Sequence, residues 1–231
     1  ATLTDADLEG SLFNEANFTG ADLTEADLSY GSEFNAAIFK DATLTDAKLN
    51  TADLSYGSTF NEANFTGADL TEAELSYGSV FVGANFTGAD LSYADLNYGD
   101  GDGSRFNGAD FTGADLSYAN LSYGAEFDGA NFTGADLSKL DLNSGNFKGA
   151  NFTGADLTEA ELSYGNFSEA NFKGADFTGA DLNDVIFSYG ASLNGADFTG
   201  ADLSYADLSY GSQFNEADFT GADLSYADLS Y

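Results

Sequence analysis

The sequence predicts a solenoid, a fold in which short repeats stack into a rod, and three observations lead to this prediction. A five-residue unit recurs along almost the whole chain, as in Ala16–Gly20, Ala21–Glu25 and Ala26–Tyr30. The central residue of every unit is Leu or Phe, and all 21 Phe of the protein occupy this position. A period of five residues fits neither the 3.6-residue turn of a helix nor the two-residue alternation of a strand. Tandem units of this kind bury their apolar side chains by stacking on one another.

A second period indicates that four units make one coil. The central residues run Phe60, Phe65, Leu70 and Leu75, and the same order begins again at Phe81. With 44 units in the chain, this arrangement predicts about eleven coils. At the spacing of paired β-strands, the rod is expected to be about 50 Å long.

Extra residues interrupt the units at regular intervals. Single glycines follow the second Leu unit, and they are expected to mark one corner of the coil, because glycine adopts positive φ without strain. Three stretches are longer than the others by about one unit. Residues 99–103 are expected to form a surface bulge, and the Phe columns are expected to slip by one face within residues 31–56 and 165–189.

The unit A-[D/N]-[L/F]-[S/T]-x, repeated over the entire chain, resembles the pentapeptide-repeat family. The resemblance implies an all-β fold, a right-handed quadrilateral β-helix (β-solenoid) of four pentapeptides per coil, here with no capping helix. It also implies that the central Leu or Phe and the small residue two positions earlier point inward, while the other three residues face water. The whole chain, residues 1–231, is expected to be a single domain of this kind.

Composition excludes several functions. The chain has 39 Asp and Glu against 6 Lys and Arg, a net charge of −33, and neither Cys nor His. Thiol catalysis, the usual zinc sites and a neutral-pH proton shuttle are therefore not expected. No basic patch is available to bind nucleic acid, no apolar run is long enough to span a membrane, and a convex acidic rod offers no cleft for an enzyme. Acidic residues concentrate on the two Leu sides of the coil, which favours a setting rich in salt or divalent cations.

One short segment suggests a cation site. Asp100, Asp102 and Ser104 alternate with glycines, and oxygen ligands at alternate positions are typical of the first half of a calcium loop. The distal Glu of such loops is missing and the flanks are not predicted helices. The alternative is a glycine-rich surface bulge without a bound ion, so calcium or another divalent cation is a hypothesis here.

The tyrosines suggest a second surface feature. All 13 Tyr occupy the last position of their unit, so they are expected to face outward. Stacked in register, they would either stiffen the rod or provide an aromatic contact for a partner. The predicted outer ladder consists of Tyr30, Tyr56, Tyr77, Tyr98, Tyr123, Tyr210 and Tyr231.

The ends of the rod suggest its function. Each terminal coil is expected to expose an apolar square and unpaired backbone groups, so the chain is predicted to be a structural rod that stacks on itself end to end. An extracellular or cell-surface setting is favoured. One alternative is an acidic mimic of DNA that binds DNA gyrase or a similar DNA-binding protein, as the family resemblance implies. The other is an engineered or excised repeat array. The predicted stacking residues are Leu3, Leu8, Phe13 and Phe18 at one end and Phe214, Phe219, Leu224 and Leu229 at the other.

Overall fold

The computed structural model describes residues 1–96, 104–121 and 125–230. Within these ranges the chain contains neither helices nor extended strands, and its regular structure consists of single-residue parallel β-bridges separated by turns. Each bridging residue directly precedes a central Leu or Phe. The five-residue period of the sequence is therefore the period of the bridges.

The bridges join successive coils into four ladders, which define four faces numbered in chain order. On each face the bridging residue of one coil pairs with the equivalent residue 20, 21 or 25 positions further on, as Asn64 pairs with Asn85 and Asn85 with Asp110. The coil is therefore four-sided, as the second period predicts. Face 1 runs from Thr2 to Gln213, face 2 from Asp7 to Asp218, face 3 from Leu12 to Asp223, and face 4 from Asn17 to Asp228.

Backbone hydrogen bonds hold each coil to both of its neighbours. The N–H of Phe132 donates to the carbonyl of Asn151 at 2.7 Å, and the N–H of Asn151 donates back to the carbonyl of Ala130 at 2.9 Å. This pair of bonds recurs on the faces along the rod. Each inner coil is thus stabilised from two sides, which is the nearest-neighbour stabilisation of repeat proteins.

A tight turn makes each ordinary corner. The N–H of Ala155 donates to the carbonyl of Phe152 at 3.0 Å, and Gly154, the third residue of this turn, has a φ of 64°. Positive φ at the third position is the requirement of a type II turn. Asp, Glu and Tyr also occupy this position, as Tyr93 does with a φ of 59°. The side chain of this residue points away from the rod, which leaves room for its identity to vary.

The core follows the predicted pattern. The central Leu or Phe and the small residue two positions before it are buried in the inner coils, and Phe132 is 0% exposed. Phe rings on one face stack directly between coils. The ring of Phe132 lies 4.9 Å from the rings of Phe111 and Phe152, with interplanar angles of 2° and 6°. The inward orientation of the Leu and Phe residues is therefore confirmed.

The two predicted slips of the Phe columns are also present. Phe34 lies on face 3 and Phe39 on face 4, whereas the next Phe pair, Phe60 and Phe65, lies on faces 4 and 1. Near the other end, Phe177 begins a Phe column on face 2, where all earlier centres are Leu. Between the first and the last coils the Phe pair has therefore moved from faces 3 and 4 to faces 1 and 2.

The expectation that all single glycines mark one corner is wrong. Gly31 lies between faces 2 and 3, Gly57 and Gly78 lie between faces 3 and 4, and Gly190 and Gly211 lie between faces 4 and 1. The reason is that the inserted glycine keeps its place before the Phe pair or its equivalent. When the pair slips by one face, the glycine corner moves with it.

The predicted bulge at residues 99–103 lies outside the described residues. The core on either side of this interval nonetheless stays in register, because Val80 bridges to Arg105. The rings of Phe81 and Phe106 stack at 4.9 Å with an interplanar angle of 3°. The extra residues between these two coils therefore do not displace the Phe column, in contrast to the two slips.

Candidate functional site

The longest regular array of charge lies on face 2. From Asp69 to Asp218 every bridging residue on this face is an aspartate, so neighbouring carboxylates are one strand spacing apart. Their orientation is set locally. The Oδ1 atom of Asp156 accepts the backbone N–H of Thr158 at 3.0 Å and its hydroxyl at 2.6 Å. The second carboxylate oxygen is left to face the solvent or a partner. The series consists of Asp69, Asp90, Asp115, Asp136, Asp156, Asp176, Asp197 and Asp218.

Face 3 is acidic as well, and its carboxylates affect one another. Burial raises the pKa of Glu74 above its ordinary value, and the charges of its ladder neighbours Asp53 and Asp95 raise it further. The opposite shift occurs where a hydroxyl donates to the carboxylate. On face 2, the Ser29 hydroxyl holds the pKa of Asp27 below its ordinary value, with a smaller contribution from Lys48. The two adjacent acidic faces thus combine repulsion along the rod with local hydrogen bonds that stabilise the charged form.

Few cations neutralise this charge. The described ion pairs join Lys48 to Asp27 at 3.2 Å and Lys148 to Glu169 at 3.2 Å, with two longer pairs elsewhere. All of these lysines are largely exposed, so each pair contributes little to stability. The net charge of −33 therefore remains mostly uncompensated at the surface.

Face 1 is different because its middle is almost uncharged. Asparagines bridge from coil to coil, and the Nδ2 atom of Asn171 donates to Oδ1 of Asn151 at 3.1 Å and to Oγ1 of Thr153 at 2.9 Å. Asn151 makes the equivalent bonds to Asn131 and Thr133. These side chains satisfy one another, so the ladder stiffens the rod and leaves few free polar groups for a ligand.

The predicted cation site is only partly described. Asp100 and Asp102 lie outside the described residues. Ser104 occupies the inward position before Phe106 and is 0% exposed, which does not match a ligand on a surface loop. A signal for this was present in the sequence, because Gly-Ser precedes the Phe unit in the same way at Ser58 and Ser79. In the ranges that the structure describes, no group of three or more acidic side chains is arranged to hold a metal ion.

The tyrosines do not form one outer ladder, so this prediction is corrected. Tyr30 lies at the corner of faces 2 and 3, Tyr56 and Tyr77 at the corner of faces 3 and 4, and Tyr210 at the corner of faces 4 and 1. The cause is again the slip of the Phe pair, which moves the glycine corner and its tyrosine. Tyr98, Tyr123 and Tyr231 lie outside the described residues.

What the described tyrosines form is a set of short stacks at several corners. The rings of Tyr56 and Tyr77 are 5.0 Å apart with an interplanar angle of 6°. Tyrosines outside the predicted ladder stack as well. The further pairs are Tyr93 with Tyr118, Tyr189 with Tyr210, and Tyr205 with Tyr226.

The terminal coils are less buried than the rest. Leu3, Leu8, Phe13 and Phe18 are only partly buried, as are Phe214, Phe219 and Leu224, and Leu229 is 62% exposed. In the described chain no further coil covers these residues. Within the described residues, the core side chains of the first and last coils are therefore less covered than those of the inner coils.

Sequence analysis missed one surface, the outward column of face 4. Ile38 and Ile186 are exposed there to 40% and 37%, and Val82, which follows the central Phe81 on the same face, is exposed to 39%. The signal was an aliphatic residue at an outward position of the unit, where Asp or Asn is usual before the central residue and Ser or Thr after it. Arg105 lies in the same column. Face 4 is therefore the face that carries exposed aliphatic side chains on a strongly acidic rod.

These features define a four-sided β-solenoid with a Leu and Phe core and an acidic exterior. The family model for pentapeptide repeats matches the chain in eight copies, and the chain belongs to that family. No helix within the described residues is long and apolar enough to cross a membrane. The eight matches cover residues 1–31, 56–78, 77–100, 102–124, 123–149, 150–188, 189–211 and 210–231.

Solved structures of other pentapeptide proteins resemble the chain only in part. HetL, a pentapeptide repeat protein involved in heterocyst differentiation regulation in the cyanobacterium Nostoc sp. strain PCC 7120, is 29% identical over 96% of this chain and 89% of its own, with a TM-score of 0.46. QnrB1, a plasmid-mediated fluoroquinolone resistance protein, is 20% identical over 94% and 90%, with a TM-score of 0.35. A pentapeptide repeat protein of the Arabidopsis thaliana thylakoid lumen is 31% identical over 55% and 66%, with a TM-score of 0.15. A comparison with curated proteins finds no match.

Proposed function

We propose that this chain is a non-catalytic structural rod that associates end to end with further copies of itself. The observation that carries the proposal is the complementarity of its terminal coils. Inside the rod, the N–H of each central residue donates to the next coil, as Leu3 donates to the carbonyl of Asp22 at 2.7 Å. In the described chain, the N–H groups of Phe214 and Phe219 have no such coil to donate to.

The first coil offers the matching groups. The carbonyl of Thr2 and its counterparts on the other three faces correspond to the acceptors that central N–H groups use inside the rod. A second copy placed on the last coil without rotation would continue all four ladders. Its Leu3 would then contact Phe214. The core already contains a contact between Leu and Phe in successive coils of face 1, where Leu44 is followed by Phe65. Because this contact joins two different surfaces, it does not close and leads to an open filament.

Substituting the exposed end of the core tests this proposal. Leu229→Lys is expected to prevent end-to-end filament growth, because it places a charge in the contact, while the melting temperature stays close to that of the unsubstituted chain. Growth is measured by light scattering and electron microscopy in about 1 M salt, which shortens the Debye length to about 3 Å and screens repulsion between rods. The control Thr178→Lys adds the same charge on face 2, two coils before the last, and is expected to associate normally. An unsubstituted chain that stays monomeric at high protein concentration in this salt contradicts the proposal.

A second candidate function is supported by the density of charge along the rod. The bridges from Asn17 to Asp228 make ten steps, or about 48 Å at strand spacing. The net charge of −33 then amounts to about one charge per 1.5 Å, compared with about 1.7 Å for duplex DNA. A rod with this charge density suits an acidic mimic of DNA that binds DNA gyrase or a similar DNA-binding protein.

Competition with DNA tests the second candidate. The chain is expected to displace a labelled duplex from DNA gyrase, and the effect is expected to weaken steeply with added salt, as it does for DNA itself. A variant with Asp90, Asp115 and Asp136 replaced by Asn keeps the shape of face 2 and should compete less well. Failure of the unsubstituted chain to compete at low salt excludes gyrase as the partner. The end-to-end proposal is unaffected by that result, because it is read from assembly of the chain alone.

A further inference from the structure

Face 4 concentrates the apolar residues that the rest of the surface lacks. Apart from the tyrosines and the end residues Leu12 and Leu229, the exposed large apolar side chains of the described chain are Ile38, Val82 and Ile186, and all three lie on this face. Isolated apolar residues on a surface need no explanation, but their restriction to one of four faces indicates an interaction surface.

Tyrosines border this face on both sides. Tyr56, Tyr77 and Tyr164 follow central residues of face 3, and Tyr189 and Tyr210 follow central residues of face 4. Each is between 41% and 63% exposed. Aromatic residues around an apolar strip are characteristic of protein–protein contacts. Face 4 also carries three of the six cationic residues of the chain, so part of the repulsion that a second acidic molecule would meet there is offset.

The order of residues along face 4 is self-complementary. Reversed about the step between Arg105 and Glu126, the column places complementary or like residues opposite each other at its centre and at its ends, with Val80 opposite Asn146 between them. Arg105 then lies opposite Glu126, and Ile38 lies opposite Ile186. The outward column between the two isoleucines reads Ile38, Thr59, Val80, Arg105, Glu126, Asn146, Asn166 and Ile186.

We propose that face 4 binds a second copy of this chain, with the two rods antiparallel and related by a twofold axis at the step between Arg105 and Glu126. A twofold contact uses the same patch on both copies, so a self-complementary order is what it requires. Each copy contributes its Arg105 to the partner's Glu126 and receives the reverse contact. This lateral contact does not depend on the end-to-end stacking proposed above.

A parallel arrangement of the same faces is less favourable. Rods related by a twofold axis along their length would place the column that precedes the central residues against the column that follows them. Glu126 would then lie opposite Asp128 of the other copy. Within each copy, burial and the charge of Glu126 already raise the pKa of Asp128. Like charges placed directly opposite each other are destabilising. These charges therefore favour the antiparallel arrangement.

The antiparallel pair also keeps the main charge arrays apart. Face 2, with its aspartate column, lies on the opposite side of the coil from face 4, so pairing through face 4 leaves both aspartate columns on the outside. At about 0.15 M salt the Debye length is about 8 Å, shorter than the distance across two rods. Contacts inside the interface persist under these conditions, whereas repulsion between the outer faces is largely screened.

The contact is expected to be weak. The seven bridges from Ile38 to Ile186 extend about 34 Å, and a face of one short unit is about 10 Å wide. Even with the bordering tyrosines, the buried area falls in the range of transient complexes. Association is therefore to be sought at high protein concentration.

A pair of charge-reversal variants tests the arrangement. The Arg105→Glu variant has acidic residues at both positions 105 and 126, and the Glu126→Arg variant has basic residues at both of these positions. When each is combined with Leu229→Lys, which blocks end-to-end stacking, either variant alone is expected to lose self-association in sedimentation equilibrium at about 0.15 M salt. An equimolar mixture of the two is expected to associate again, because each contact then joins an acidic residue of the first variant to a basic residue of the second. Circular dichroism of each variant establishes that the solenoid is folded.

Two further variants separate this contact from other causes. Ile186→Glu is expected to reduce association at least tenfold, whereas Ser138→Glu, which adds the same charge on face 2, leaves it unchanged. Leu229→Lys, at the end of the rod, should still pair laterally. A monomeric unsubstituted chain at millimolar concentration overturns the proposal, as does a mixture that associates no better than its components.

Discussion

Replacing Phe132 by Ala is expected to lower the free energy of unfolding by about 3–5 kcal/mol. The side chain is 0% exposed and its ring is stacked between those of Phe111 and Phe152. The substitution removes both stacking contacts and leaves a cavity that the neighbouring coils cannot fill, because their backbones are fixed by the ladder bonds. Denaturant titration followed by circular dichroism measures the effect.

A control in the next unit separates the core from the surface. Asp136 belongs to the unit that follows Phe132 and is exposed on the aspartate column of face 2. Asp136→Asn keeps the shape of the side chain and removes one charge from a repelling series, so it should leave stability unchanged or raise it slightly. If Asp136→Asn destabilised the chain as much as Phe132→Ala, the assignment of inward and outward positions would be wrong.

Raising the salt concentration is expected to produce the second large effect, an increase in the melting temperature on the order of 10 °C between low and molar salt. Two carboxylates one strand spacing apart repel each other by about 0.9 kcal/mol in water, and this repulsion recurs along faces 2 and 3. Unfolding relieves it, so the repulsion destabilises the folded rod until salt screens it. Calcium or magnesium should act more strongly than sodium at matched ionic strength.

A variant with fewer charges checks the cause. Replacing Asp90, Asp115 and Asp136 by Asn removes adjacent members of the face 2 column, so its melting temperature should rise less between low and molar salt. A melting temperature that is independent of salt in the unsubstituted chain would mean that the carboxylates are already compensated. The comparison at matched ionic strength distinguishes divalent binding from general screening.

The sequence predicts the buried core and the backbone ladders of this structure well. Phe132 and its equivalents are recognisable as core residues because a single inward position recurs every five residues, and the ladder bonds repeat with the same period. The slips within residues 31–56 and 165–189 could be inferred because each adds a whole unit, which moves the later Phe residues to the next face without breaking the coil.

The arrangement of surface residues could not be predicted to the same extent, because it depends on how each coil is aligned with the next around the rod. Tyr30 and Tyr56 have the same position in their units but lie at different corners, since a slip separates them. The position of Arg105 and Glu126 midway between Ile38 and Ile186 on face 4 depends on the alignment of the coils on either side of residues 99–103. Ser104 could have been placed inside from the Gly-Ser sequence that precedes other Phe units, whereas the surroundings of Asp100 and Asp102 are not described.

The movement of the Phe pair around the rod has a consequence for how such a chain reaches one structure. A sequence of nearly identical units could pair coil with coil in many shifted alignments, and most of these would bury similar residues. The change of face near each end removes this degeneracy, because a coil shifted past it places Phe where the neighbouring coils have room for Leu. Kinetic traps are common in repetitive chains, and local differences that favour a single alignment reduce them. The two slips thus make the native alignment of the coils more favourable than shifted alignments of otherwise interchangeable units.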